Sequence, residues 1–190
     1  MGYLEITIGP MFAGKTTALI DKVNRYITVK KQQGKDPKVL IINYLGDNRS
    51  ESTLSPHLVY KGVFGDNTTH CKVEELKDIE DMEIVSTFDY IAIDECQFFK
   101  DIGMVDNWLN NKNIHIHCSG LLTDSNKQSF GNLHKIMYLA DHIEHIKAFC
   151  FYCGDKYPNA SFTKCLKEKN NQTEIGGIDK YIPVCGKHFD

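Results

Sequence analysis

Apolar positions along this chain fall into short blocks separated by polar stretches, and their spacing predicts strands alternating with helices. Tyr3-Leu4-Glu5-Ile6-Thr7-Ile8 reads as a strand. Beyond Thr17, residues Leu19, Ile20, Val23 and Ile27 share one helical face, Asp21, Lys22, Asn24 and Arg25 lie largely opposite, and Gly34 and Pro37 end the helix. Val39-Leu40-Ile41-Ile42 and Tyr90-Ile91-Ala92-Ile93 are continuous apolar runs, as expected of strands buried on both faces of a parallel sheet. Residues 46–69 are rich in Gly, Asp, Asn, Ser and Thr and predict a loop with a short strand near Leu58-Val59-Tyr60. Short helices are predicted over 73–77 and 106–110, a strand at Ile114-His115-Ile116-His117, and a loop over 120–130. Leu133, Ile136, Met137 and Ala140 have helical spacing, and 143–149 leads out as a final strand.

This order implies right-handed crossovers, a parallel sheet with helices on both faces, and ligands at the carboxyl ends of the strands. From Cys150 the composition becomes polar and broken, with cysteines at both ends. The expected division is therefore an α/β domain over 1–149 and a small domain over 150–190.

Charge and cysteine content narrow the class. The formal net charge is −3 over 190 residues, against a general nucleic-acid binder, which shows a basic face. No apolar run approaches the ~20 residues that span a bilayer. The N-terminus enters a strand directly, so no signal or transit peptide is expected. Seven cysteines without an export signal suggest reduced thiols or metal ligands in a cytoplasmic protein.

Three constellations carry chemistry. Gly9-Pro10-Met11-Phe12-Ala13-Gly14-Lys15-Thr16, followed by Thr17, stands between a predicted strand and a predicted helix, the context of a P-loop. Glycines let the backbone wrap phosphates, the helix N-terminus adds partial positive charge, Lys15 reaches the outer phosphates, and the Thr16 hydroxyl suits Mg²⁺. Asp94-Glu95 ends a buried strand, where Asp94 would share the Mg²⁺ with Thr16 and Glu95 could accept a proton from a hydroxyl or from water. Those residues alone fit an ATPase and a kinase equally. Cys150-x-x-Cys153 and Cys185-x-x-His188 form two knuckles that complete a closed, structural zinc site stapling the loop 154–184.

Taken with Asp94-Glu95-Cys96-Gln97-Phe98-Phe99 and Ile175-Gly176-Gly177-Ile178-Asp179-Lys180-Tyr181, these motifs resemble the type II thymidine kinases over nearly the whole chain, in the same order. The resemblance implies phosphoryl transfer from ATP to the 5′-hydroxyl of thymidine, with deoxyuridine as a further acceptor. It makes Glu95 the catalytic base and sets Gln97 beside it in the ATP-binding segment with Asp94. Phe98 and Thr163 match residues lining the nucleoside pocket, and Thr173, Glu174, Ile175, Gly176 and Tyr181 belong to a lasso closing over the base. Asp47-Asn48-Arg49-Ser50 resembles a D-x-R-x segment, which brings Asp47 and Arg49 to the phosphates. Leu121 and Ser125 fall in a loop near the base. Ser125 stands where an aromatic residue is typical, with Phe130 nearby to supply part of that contact. Leu122 replaces a usual acid, Cys96 a usual small residue, and His188 a usual fourth cysteine. Thymidine triphosphate as feedback inhibitor and a homotetramer are also implied, with no nucleic-acid or membrane partner. The competing reading is a P-loop ATPase whose zinc ribbon binds nucleic acid or protein.

Overall fold

A computed structural model describes residues 1–46, 67–79, 82–111, 113–154, 157–166 and 176–189. Six parallel strands form one sheet: β1 (Tyr3–Ile8), β2 (Val39–Tyr44), β3 (Thr68–Val73), β4 (Tyr90–Ile93), β5 (His115–Gly120) and β6 (His142–His145), in the order β3-β2-β4-β5-β1-β6. Alternation along each strand builds two cores. Val39, Ile41, Tyr90 and Ala92 face helix α1 (Lys15–Gln32), which buries Leu19, Val23 and Ile27 against them. Leu40, Ile42, Ile91, Ile93, Leu4, Ile6, Ile116 and Cys118 face the other way. There they meet Val85 of α2 (Met82–Ser86), Val105 and Trp108 of α3 (Met104–Trp108), and Leu133 and Ile136. Helices thus cover both faces, as the apolar runs of β2 and β4 require.

Strand order positions the site. β5 lies between β1 and β4, with Ile6 opposite Cys118 and Ile93 opposite Cys118 from the other side. Neighbouring strands are about 4.8 Å apart, so the carboxyl ends of β1 and β4 stand roughly 10 Å from each other across β5. The loops after these three strands therefore share one crevice.

The α1 face also holds a polar seam. Thr7 Oγ1 bonds His117 Nε2 at 2.8 Å, and the Tyr90 hydroxyl lies 3.3 Å from His117 Nδ1. Lys22 of α1 donates to Glu5 of β1, and at 2.7 Å to Glu144 of β6.

Several expectations change. Residues 68–73, of which 68–69 are expected as loop and Val73 as a helix start, form β3, and the helix expected over 73–77 is a 3-10 turn, Leu76–Asp78, closed by reciprocal Glu75 and Asp78 capping bonds. β3 is an edge strand, paired among the described residues with β2 alone, and its Thr, His and Lys positions are mostly partly exposed, which masks the strand. α2 was not anticipated, and the helix expected over 106–110 is α3, shifted towards the N-terminus. The stretch Leu133–Leu139 is 3-10, with Leu133 and Ile136, three residues apart, as its buried positions. The last strand of the sheet is β6, shorter than 143–149. The strand expected at Leu58-Val59-Tyr60 lies outside the described residues.

Beyond the sheet, Ala148, Cys150, Ala160, Ile182, Val184 and Cys185 form a small separate core. It includes an antiparallel pair not foreseen from the sequence, β7 (Phe162–Cys165) with β8 (Tyr181–Val184).

Candidate active site

The turn after β1 is built for close approach. Phe12 and Gly14 have φ of 65° and 84°, and a Cβ on Gly9 would stand 2.4 Å from the Ile146 carbonyl oxygen. Gly14 caps α1 without a side-chain hydrogen bond, so first-turn N–H groups face the crevice. Lys15 Nζ donates to the Pro10 carbonyl at 2.9 Å, folding the lysine onto its own loop.

The second half arrives from β4. The Thr16 hydroxyl donates to Asp94 Oδ2 at 2.7 Å, and the Glu95 N–H to Asp94 Oδ1 at 3.0 Å. Burial, and then the Glu95 charge, push the Asp94 carboxyl up to about 6, against the pull of Thr16, the Glu95 amide and Lys15. A hydroxyl and a buried carboxylate aimed at one point are an oxygen donor set that fits Mg²⁺. Glu95 itself has φ 54°, a left-handed backbone unusual for a non-glycine residue.

Met11, Phe12, Gly14, Lys15, Thr16, Glu95 and Leu121 line a cavity of about 230 Å³. The structure therefore gathers the P-loop, Glu95 and Leu121 at one place, as expected. Gln97 differs. It is buried, is not in that lining, and both ends of its amide bond to protein, Nε2 to Glu95 Oε2 at 2.5 Å and Oε1 to the Leu121 N–H at 2.8 Å. The sequence reading of Gln97 as an ATP contact thus meets an amide already occupied within the protein.

Phe98 lies in an aromatic group. Tyr44 stacks on it at 5.0 Å between centroids, and Phe130 meets it edge-on at 5.6 Å. Tyr44 was missed; its place at the carboxyl end of β2 was the available signal. Phe99 is fully buried and belongs to the core. Thr163 reaches the P-loop, its hydroxyl accepting the Met11 N–H at 2.9 Å. Tyr181 is buried on β8. Gly176 packs beside Lys180, which a Cβ would meet at 2.8 Å. Ser125 is only 7% exposed, and among the described residues its hydroxyl has no hydrogen-bond partner. Leu122 lines a second, largely apolar cavity of about 340 Å³ with Pro10, His145 and Phe162. Asp47, Arg49, Thr173, Glu174 and Ile175 lie outside the described residues.

The metal-ligand quartet converges as its spacing predicted. His188 Nδ1 lies 3.5, 3.4 and 3.4 Å from the sulfurs of Cys150, Cys153 and Cys185, and the Cys153 and Cys185 sulfurs are 3.7 Å apart. A tetrahedral ion with bonds of ~2.3 Å to sulfur and ~2.0 Å to nitrogen needs separations of about 3.5–3.8 Å, so the cluster fits zinc. Burial alone would raise the Cys150 thiol, but the backbone N–H groups of Cys185, Cys153 and Tyr152, with His188, bring it down to about 6. This favours the thiolate that a metal requires.

Comparison with known proteins agrees with this arrangement. The family model described as thymidine kinase matches residues 2–189. The thymidine kinase of Amsacta moorei entomopoxvirus is 36% identical over 185 residues, covering 96% of this chain and 94% of the viral one. That of fowlpox virus is 32% identical over 189 residues, covering 99% and 97%. Thymidine kinase 1 of Dictyostelium discoideum is 31% identical over 185 residues, covering 97% and 76%. A family match that runs from β1 through the metal-ligand quartet, on a chain whose P-loop and strand-end carboxylates meet in one crevice, means that this chain belongs to the thymidine kinase family.

Proposed function

We propose that the chain transfers the γ-phosphoryl group of ATP to the 5′-hydroxyl of thymidine, and also accepts deoxyuridine. What carries the reading is the convergence of Lys15, Thr16 and Glu95 on one cavity, with Thr16 2.7 Å from the Asp94 carboxylate. In this reading the P-loop N–H groups and Lys15 hold the triphosphate, and Lys15 leaves the Pro10 carbonyl to do so. Thr16 and Asp94 would hold Mg²⁺, which screens the charge on the transferring phosphoryl group. Glu95 accepts the 5′-hydroxyl proton as the O5′–Pγ bond forms and the bond from Pγ to the bridging oxygen breaks, releasing ADP. Asp47 and Arg49 assist at the phosphates.

The nucleoside occupies the space between Leu121, Phe98, Phe130, Ser125 and Thr163, under a lasso containing Thr173, Glu174, Ile175, Gly176 and Tyr181. A structural zinc on Cys150, Cys153, Cys185 and His188 fixes the root of that lasso. The division between the two domains falls at 149/150, close to where the small core begins at Ala148. Thymidine triphosphate is the expected feedback inhibitor, a homotetramer the expected assembly, and the cytoplasm the expected compartment. Among the described residues no helix is long and apolar enough to cross a membrane.

The test is transfer of labelled γ-phosphate from ATP to thymidine, deoxyuridine and deoxycytidine, with single-stranded DNA in parallel. Labelled thymidine monophosphate is expected, and Glu95→Gln should lower turnover by about 10²- to 10⁴-fold. Phosphate release stimulated by DNA, with no nucleotide product, would overturn the reading in favour of an ATPase.

A further inference from the structure

The Gln97 side chain joins two parts of the site that are far apart in sequence. It is 3% exposed, and its two polar atoms point to different loops. Oε1 accepts the Leu121 N–H at 2.8 Å, and Nε2 donates to Glu95 Oε2 at 2.5 Å. The direction of the amide is not arbitrary. A backbone N–H can only donate, so the atom facing Leu121 must be the oxygen, and the NH₂ group must then face the Glu95 carboxylate.

The surroundings hold Gln97 on three sides. A Cβ on Gly120 would stand 2.7 Å from Gln97 Oε1. One on Gly131, whose φ is +63°, would stand 1.9 Å from the Gln97 carbonyl oxygen. Both glycines thus admit the close approach that seats this residue. The loop bearing Leu121 is closed on itself, since the Phe130 N–H donates to the Leu122 carbonyl at 3.0 Å.

Glu95 needs such a support. Its left-handed backbone caps the 3-10 turn Cys96–Phe98, the Phe98 N–H donating to its carbonyl at 3.1 Å, but these backbone contacts leave the side-chain torsions that aim the carboxylate to be set by its own contacts. Lining the same cavity as Leu121, it can serve a bound hydroxyl only if that aim is held.

We infer that Gln97 is a positioning residue for the phosphoryl transfer: it ties the Glu95 carboxylate to the Leu121 backbone, so that the proton acceptor and the loop walling the nucleoside cavity move as one body. This rests on the reading of Glu95 as proton acceptor. Gln97 touches neither ATP nor nucleoside; it acts through Glu95.

Steady-state kinetics of the full-length protein separate this from a direct ATP contact. Gln97→Leu removes both bonds at similar volume. Gln97→Glu keeps the shape and the acceptor for Leu121 but replaces the donor facing Glu95. Both should lower kcat by about 10- to 100-fold, the cost of a misaimed reacting group, with KM for ATP and for thymidine within about threefold of the parent. In a Glu95→Gln background, Gln97→Leu should cost nothing further, because the group it positions is gone. Melting curves select the variant to score: if Gln97→Leu fails to fold, the nearly isosteric Gln97→Glu decides, alone and paired with Glu95→Gln. A raised KM for ATP at parental kcat, or a loss that multiplies in the Glu95→Gln background, would overturn the inference in favour of a direct contact. Parental kcat in both Gln97 variants, beside a crippled Glu95→Gln, would overturn it while leaving the Glu95 reading intact. An active Glu95→Gln would remove the reading beneath it.

Discussion

Lowering the pH should loosen this fold through one buried ring. His117 is fully buried, with Thr7 on one nitrogen and Tyr90 on the other. Burial drives its pKa down from 6.5 to about 4; Glu5 opposes that shift, while Lys22, His115 and His142 add to it. In the unfolded chain the ring takes up a proton below about 6.5, but in the folded chain not until about 4. Between those values the unfolded state binds more protons, so stability falls as pH falls. A gap of about 2.5 pH units at 1.36 kcal/mol per unit gives about 3 kcal/mol, a large share of the 5–15 kcal/mol typical of a domain.

Glu5 works in a lower window. Burial would raise its carboxyl, but His115 and Lys22 hold it down at about 2, so its contribution is complete above 4.5 and is lost as pH falls through 2. In the interval from 6.5 to 4.5 Glu5 is silent, and Asp94, raised to about 6, acts in the opposite direction but is common to parent and variant, so the difference between the two tests His117. The assay is urea unfolding of the parent and of His117→Gln across that interval. Gln keeps a donor and an acceptor for Thr7 and Tyr90 but does not titrate there. Any metal lost from the Cys/His quartet on acidification is lost by both proteins alike and cancels in the difference. The parent should lose most of the 3 kcal/mol relative to the variant. Parallel pH profiles would show that the ring is not held neutral by its surroundings, and the argument would fail.

Three further outcomes follow from contacts already described. Gly131→Ala should destabilise the fold by at least ~1–2 kcal/mol and lower the melting temperature, since the new Cβ meets the Gln97 carbonyl at 1.9 Å in a left-handed backbone. Thr163→Val should cost about 0.5–1.5 kcal/mol in urea unfolding by removing the acceptor of the partly buried Met11 N–H, an effect absent in Thr163→Ser. Chelation of metal, or Cys153→Ser, should remove one zinc per chain by elemental analysis and open the β7–β8 region to proteolysis, while parental protease resistance after metal loss would count against a structural ion.

How far the molecule could be read from sequence depended on how local each signal was. β1, the P-loop and the start of α1 are contiguous, so the pattern of apolar residues and the glycine spacing identified them together. Asp94-Glu95 was legible because a buried strand announces its own carboxyl end. The Cys/His quartet was legible as two short-range pairs, although its closure spans 38 residues from Cys150 to His188. β3 was hidden because an edge strand tolerates polar residues on both faces. The β7–β8 pair was hidden because register such as Cys165 opposite Tyr181 comes from pairing across a long connection, not from a turn. The role of Gln97 was illegible for the same reason: its partner Leu121 lies 24 residues away, and the glycines that admit it look like ordinary loop residues.

The polar seam under α1 adds a physical reason for the precision of the site. A sheet face covered only by Leu, Val and Ile would hold the helix firmly but without a unique rotation, because apolar burial is non-directional. Lys22 removes that freedom by reaching Glu5 on β1 and Glu144 on β6 at once, and burial of Glu5 makes the pairing costly to break. Turning α1 about its axis would part Lys22 from both carboxylates, and α1 begins at Lys15, next to Thr16. The same contact that spends charge inside the fold therefore sets where the P-loop lysine and the Thr16 hydroxyl stand relative to Asp94, a separation of 2.7 Å on which the phosphate site depends. Lys22→Met, although apolar and similar in length, would leave Glu5 buried without its cation. It should thus disturb phosphate binding as well as stability, seen as a raised KM for ATP in protein that still folds.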